Sequence, residues 1–404
     1  MLLDFNDTTL RTYGADAEFG LERESLRVNR DGTLAMTKHP FSGDVHIDRD
    51  FCENQVEMIT DVFTDADALI GQVNGLLDQI DDTLRQKNEC LWNFSNPPIV
   101  CREEDIPAAV FEGGMQHKSE YRAYLAEKYG KKKMLFSGIH FNYSFTAAFL
   151  NEAARQERAP DYVTWKSEFY LRLSRRLTEY AWLVVFLTAA SPVTDPSFGI
   201  ESNRYASIRC SEQGYWNDFV PVLNYTSFPA YLDSIEAYIR SGALRSVSEL
   251  YYPVRLKPRG ISTLQGLRER GVNHVELRVI DVNPLTRAGI MREDIRFLHL
   301  LMLYLVSLPD ADFGEAAQLD AIRRVKAAAE FDSADIRRQA ADVLAEIESF
   351  ARAYFPHLLS AVSWQQKKLQ PGGRYADEVS RRFSQDYVGQ GLLLSESYRR
   401  EKYV

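Results

Sequence analysis

The sequence predicts an α+β fold, with helices wrapped around a mixed or antiparallel sheet that keeps one open, working face. Three observations carry this expectation. Five short segments alternate apolar and polar residues with period two, as half-buried strands do. Four longer stretches repeat apolar residues with the helical period. Each strand also keeps polar or charged residues on one face, which a sheet covered on both sides would not; strands separated by helices leave a doubly wound parallel sheet as the alternative. The 404 residues would allow two or three domains by length. With no internal repeat and no Pro/Gly/Ser-rich linker, the chain is read as one domain over 1–404, its part from 310 to 404 helical.

The predicted strands run from Phe19 to Val28, Phe51 to Thr60, Ser137 to Phe145, Leu250 to Lys257 and Val272 to Asp281. In the first, Glu22 and Glu24 project together and Arg23 points the other way. The second sets Glu53, Gln55 and Glu57 on one face, with Asp50 just ahead. His140, Asn142 and Ser144 share a face in the third, opposite Ile139, Phe141 and Tyr143. The fourth offers Tyr251, Arg255 and Lys257, and the fifth His274, Glu276 and Arg278. The predicted helices are Ala66 to Gln86, Tyr162 to Thr188, Arg292 to Leu308 and Ala334 to Tyr354. From Asp294 onward the third is apolar nearly all round, which places it in the core.

Composition narrows the function classes. The chain is 45% hydrophobic and 26% charged, an ordinary globular balance. A net charge of -9 argues against a nucleic-acid partner, whose phosphates are gripped by excess Lys and Arg. Cys52, Cys90, Cys101 and Cys210 form no CxxC pair, so neither a disulfide framework nor a structural zinc site is expected. The N-terminus has no basic region before an apolar core, and the most apolar run, Ala181 to Ala190, is about half a membrane span. A cytoplasmic location without membrane partners is therefore expected.

Taken singly, paired carboxylates on a strand are usually a solvated face, and a lone histidine is more often a hydrogen-bonded core residue. Repetition of acid, His or Arg over several strands changes the reading. If the faces belong to one sheet, they form a carboxylate cluster beside cations, and such a cluster needs positive charge to hold together. Hard oxygen donors with little sulfur favour magnesium or manganese over zinc. Magnesium beside Arg and Lys is what phosphoryl transfer needs. Neither GxxxxGK[ST] nor GxGxxG after a strand is present, so a nucleotide would be held chiefly through metal ions.

The residues also resemble a family. Phe19-Gly-Leu-Glu-Arg-Glu-Ser-Leu-Arg-Val28 is similar to the opening strand of bacterial glutamate–cysteine ligases. The similarity continues through Asp50-Phe-Cys-Glu-Asn-Gln-Val-Glu57, Ser137-Gly-Ile-His140-Phe-Asn142, Ala190-Ser-Pro192, Ser207-Ile-Arg209 with Gly214-Tyr215, Glu249-Leu-Tyr251-Tyr-Pro253-Val-Arg255, and Val275-Glu276-Leu-Arg278-Val-Ile-Asp281-Val-Asn283-Pro284. Order and approximate spacing hold from about 18 to 308. The resemblance implies a glutamine-synthetase-like fold, with a curved, mostly antiparallel sheet around the active site. It implies a cytoplasmic enzyme of glutathione biosynthesis that uses ATP to phosphorylate the γ-carboxylate of glutamate, after which the amine of cysteine attacks. By position, Glu22, Glu24, Asp50, Glu57 and Glu276 resemble the magnesium ligands. Arg278 resembles the arginine that stabilises the transferred phosphoryl, and His140 the histidine near metals and nucleotide. Tyr121, Arg209, Tyr215 and Tyr251, with Arg255, resemble substrate-site residues, Arg209 and the tyrosines holding the acceptor carboxylate.

The sequence departs from the family pattern at Asn93, where proline is usual, and at Leu285, where phenylalanine is usual. The chain is similar to the N-terminal ligase part of bifunctional glutathione-synthesis enzymes and is expected to stop at the dipeptide. Two other readings stay open: a γ-glutamyl ligase using a different amino acid or amine, and a ligand-binding protein without catalysis.

Overall fold

The computed structural model describes residues 3–201, 204–331 and 333–401. Its centre is a seven-stranded sheet: β1 (Ala17–Asn29), β2 (Ile47–Arg49), β3 (Gln55–Ile59), β4 (Glu89–Trp92), β5 (Gly138–Phe145), β6 (Val254–Lys257) and β7 (His274–Asp281). The order is β2-β3-β1-β5-β7-β6, with β4 also paired to β1. Every one of these pairings is antiparallel, so the parallel alternative is set aside. The helices are α1 (Thr8–Tyr13), α2 (Ala66–Gln86), α3 (Gln116–Tyr129), α4 (Ala147–Gln156), α5 (Tyr162–Thr188), α6 (Phe228–Arg240), α7 (Leu264–Arg270), α8 (Arg292–Ser307), α9 (Glu315–Ala328), α10 (Ala334–Tyr354), α11 (Leu359–Lys367), α12 (Tyr375–Phe383) and α13 (Tyr387–Glu401).

The period-two pattern explains the layering. Phe19 and Leu21 of β1, Phe141 and Tyr143 of β5, and Val275 and Leu277 of β7 enter one apolar core with α5 and α8. Helix starts follow from capping: Asp65 accepts from the Ala68 N–H and Asp161 from the Thr164 N–H. In α8 even the polar Asp294 is buried, and its carboxylate accepts from Lys368, Gln365 and Tyr375 at 2.7–2.9 Å. Helices α9, α10 and α11 join the same core, which runs from Leu3 to Val362, while Val379 and Phe383 of α12 and Tyr387 of α13 pack in a second apolar cluster with Trp92 and Phe94. Among the described residues no helix is long and apolar enough to cross a membrane.

Two strands are shorter than the alternation suggests. The segment from Phe51 to Asn54 is a tight turn, with Gln55 N–H donating to the Cys52 carbonyl, and β3 begins only at Gln55. Leu250–Pro253 bends before β6, and Arg255 Nε donates to the Leu250 carbonyl across that bend. Both departures from the family pattern face α13. Asn93 accepts from Arg23 Nη2 (2.8 Å) and donates to Ser395 Oγ (3.3 Å). Leu285 packs in the apolar cluster that takes in Leu392, and Tyr398 donates to the neighbouring Pro284 carbonyl.

Candidate active site

Residues directly opposite each other in an antiparallel pair share a face. The register therefore assembles one polar row across the sheet. Glu24 lies opposite Glu57, Glu22 opposite His140, Asn142 opposite Glu276, and Arg255 opposite Glu276. The β5–β7 ladder slips between Ile139 and Phe141, so that Arg278 and Val279 together oppose His140. Four strands outside β1 thus bring their functional side chains to one place.

His140 is the hub. Its Nδ1 is 3.1 Å from Glu22 Oε2 and 3.7 Å from Glu276 Oε1, and its Nε2 is 3.8 Å from Glu24 Oε1. One ligand atom each from Glu22, Glu57 and His140 lie within 4.8 Å of one another, close enough to share a metal ion. Glu24 is oriented by the Gly138 N–H (2.8 Å) and Glu22 by Asn142 Nδ2 (3.0 Å). Glu276 receives Lys257 Nζ and Arg278 Nη1, each at 3.1 Å.

The charges are split between two ends of the row. Burial opposes ionisation of Glu276, but Arg278, then Lys257, His140 and Arg255 outweigh it and hold the carboxyl well below the usual range. At the other end burial, then the charges of Asp50, Glu22 and Glu24, push the Glu57 carboxyl well above it. A site with this unbalanced negative end fits a hard divalent cation, for which carboxylates and one imidazole are suitable donors.

The row floors a cavity of about 180 Å³. Glu22, Glu24, Asp50, Glu57, His140, Glu276 and Arg278 all line it, as do Tyr121, Tyr215, Tyr251 and Arg255. The rings of Tyr215 and Tyr251 meet at 4.2 Å. The Tyr121 and Tyr251 hydroxyls are buried at the cavity wall, where they can meet a ligand. Burial raises the Tyr121 phenol to about 12, so it stays a donor at neutral pH. A second cavity of about 250 Å³ adjoins through Glu22 and is walled by Phe19, Gly20, Ile59, Val62 and Asn142.

Arg209 is placed differently from the other expected site residues. It does not line the main cavity but a smaller one behind Tyr215 and Tyr251. Its guanidinium donates to the main-chain carbonyls of Arg278 (2.9 Å) and Ile280 (3.4 Å) and packs where a Cβ on Gly138 would stand. The turn before β3 likewise takes Glu53 away: its carboxylate accepts from the His39 N–H (2.9 Å) and Arg49 (3.2 Å). Two lining cations, Lys257 and Arg122, stand outside the motifs that carry the family resemblance. Lys257 shares the strand face of Arg255. Arg122 comes from α3, a helix with no apolar stripe, so no periodicity announces it.

Similarity to known proteins agrees with this geometry. The family described as glutamate-cysteine ligase matches residues 3–244 and 219–327. A bifunctional glutathione biosynthesis protein of Listeria monocytogenes is 37% identical over 320 residues, covering 74% of this chain and 41% of that protein. A glutamate–cysteine ligase of Clostridium acetobutylicum is 33% identical over 361 residues, covering 75% of this chain and 74% of the relative. Among solved structures, a bifunctional glutathione synthetase from Pasteurella multocida matches with a TM-score of 0.88 at 25% identity, over 98% of this chain and 54% of that one. A glutamate–cysteine ligase from Francisella tularensis in complex with AMP gives 0.84 at 23% identity, over 95% and 89%, which bears on the fold alone. The chain thus spans about two fifths of the bifunctional relatives' length.

Proposed function

Because the chain belongs to the glutamate–cysteine ligase family, we propose that it joins the γ-carboxylate of glutamate to the amine of cysteine at the expense of ATP. A γ-carboxylate oxygen attacks the terminal phosphorus of ATP, the bond to ADP breaks, and ADP leaves with the electron pair. The amine nitrogen then attacks the acyl carbon, and phosphate leaves with the oxygen and the electron pair, giving γ-glutamylcysteine.

The observation that carries this reading is the polar row, with Glu22, Glu24 and Glu57 at one end, Arg278 and Lys257 at the other, and His140 between them. Glu22, Glu24, Asp50, Glu57, Glu276 and His140 would hold magnesium, with manganese as the alternative. When bound, the ions neutralise charge on the phosphate oxygens and bring ATP to the sheet. Arg278 is kept charged: burial opposes this, but Glu276 outweighs it, so a planar guanidinium faces the transferring phosphoryl. The second cavity, walled in part by Phe19, Ile59 and Val62 and joined through Glu22, suits the adenosine of ATP. Tyr121, Tyr215 and Tyr251 wall the amino-acid end, and Arg122 and Arg255 supply guanidinium groups for substrate carboxylates.

The withdrawn position of Arg209 gives some weight to an acceptor other than cysteine. Phosphate release from ATP with glutamate present, scanned over all amino acids and simple amines including cysteamine, decides between them. Cysteine is expected to be the preferred acceptor. Equal use of cysteine and cysteamine would sink the amino-acid reading.

A further inference from the structure

Glu249 stands in the segment that carries Tyr251 and Arg255, yet it lines no part of the cavity. Its carboxylate is fully buried. Oε1 accepts from Lys128 Nζ (2.7 Å), the Tyr129 hydroxyl (2.7 Å) and the Tyr124 hydroxyl (3.2 Å), and Oε2 from the Arg245 N–H (2.6 Å). Three of these four donors belong to α3. A buried carboxylate with this many donors on one helix is an attachment point, because its loss removes three contacts of α3 at once and leaves Lys128 to the Ala243 carbonyl (2.6 Å) and Tyr129 to Asn217 (2.9 Å).

The same helix presents Tyr121, Arg122 and Leu125 to the cavity. Leu125 is its single fully buried residue, with Tyr121, Tyr124, Ala126 and Tyr129 half-buried against the same apolar cluster, so the buried polar anchor adds to a shallow apolar contact. The other end of the anchor is equally committed. Arg255 donates to the carbonyls of Ser248 and Leu250 on either side of Glu249. Asn217 bridges the Tyr129 hydroxyl, the Glu249 carbonyl and the Tyr251 N–H at 2.8–3.0 Å.

We propose that Glu249 is a positioning residue for substrate binding: it anchors α3 and so sets Tyr121 and Arg122 against Tyr251 and Arg255 across the cavity. This rests on the cavity's being the amino-acid site, as argued above. Glu249 touches no substrate and acts through α3 alone.

Glu249→Gln keeps the size and removes the charge, and Tyr129→Phe removes a single donor and disturbs the fold less. Two readouts apply to both. Amide exchange, measured without substrates, should accelerate in residues 116–129 by roughly tenfold or more, with the rest of the chain unchanged. In steady state, KM for cysteine or glutamate should rise roughly tenfold in Glu249→Gln and less in Tyr129→Phe, with kcat and KM for ATP within about threefold. A purely structural carboxylate would instead lower the melting temperature and speed exchange throughout, leaving the KM values of the folded fraction alone. Either that pattern or unchanged exchange in α3 overturns the proposal. Because exchange is read without turnover, a wild type that makes no γ-glutamylcysteine would overturn the functional reading separately.

Discussion

Arg209 Nη2 donates to the main-chain carbonyl of Arg278 at 2.9 Å, so the guanidinium expected to read a substrate supports the strand that carries the phosphoryl arginine. The pairing of β6 with β7 ends at Leu277, and Arg209 donates to the carbonyls of Arg278 and Ile280 just beyond it. Arg209→Ala is therefore expected to lower kcat by roughly tenfold or more, while KM for cysteine moves less than about threefold. Gly138→Ala, whose Cβ would stand 2.1 Å from Nη2, should act in the same direction. A rise in KM for cysteine with kcat kept would restore Arg209 as a substrate contact.

The metal reading makes its own demand on Glu57. Its raised carboxyl must lose a proton when a cation binds, so Mn²⁺ affinity should increase with pH and binding should release protons. Glu57→Gln should weaken Mn²⁺ binding by more than about tenfold, the scale that even outer-shell changes cost. Calorimetry in buffers of different ionisation enthalpy reads both quantities. Unchanged affinity in the variant would remove Glu57 from the site.

The C-terminal helices are held by a buried ion pair between Lys368 and Asp294 at 2.7 Å. Lys368→Met leaves the Asp294 charge uncompensated and should destabilise the protein by about 3–5 kcal/mol. With α9, α10 and α11 in the same core as the sheet and α8, urea unfolding should remain a single transition, and KM values should stay near wild type. Two resolved transitions would mean that the chain past 310 folds separately.

His299 supplies a pH dependence away from the active site. It is buried beside the Tyr143 hydroxyl (2.9 Å), and burial lowers it from 6.5 to about 4. Between those values the unfolded chain binds a proton that the folded protein does not, so stability falls as pH drops from neutrality toward 4. His299→Asn removes that share, and its stability gap to wild type should shrink by about 2 kcal/mol between pH 7 and pH 5. A gap that is constant with pH would contradict the assignment.

How much of this was readable beforehand depended on whether local pattern and tertiary role coincided. The bounds of α2, α5 and α10 follow from apolar periodicity and, for α2 and α5, an Asp cap, and all three match the sequence reading. The alternation in β1, β5 and β7 placed Glu22, His140, Glu276 and Arg278 on a common face, and the register then brought them together. What failed was long-range in origin. Glu53 carries the right parity, but the turn at Phe51–Asn54 breaks it before β3. The helix α3 has no amphipathic signature, and the carboxylate that anchors it, Glu249, lies over a hundred residues away in sequence. Arg209 sits at a turn, where side-chain direction follows from no period at all.

The most direct test of the proposed chemistry is isotope transfer. Glutamate labelled with ¹⁸O in its γ-carboxylate is incubated with ATP, Mg²⁺, cysteine and the protein, and the released phosphate is analysed by mass. One labelled oxygen is expected in each phosphate formed, matched in amount by γ-glutamylcysteine, because the carboxylate oxygen that attacks phosphorus leaves with it. Unlabelled phosphate, or phosphate released without dipeptide, would contradict the proposed chemistry.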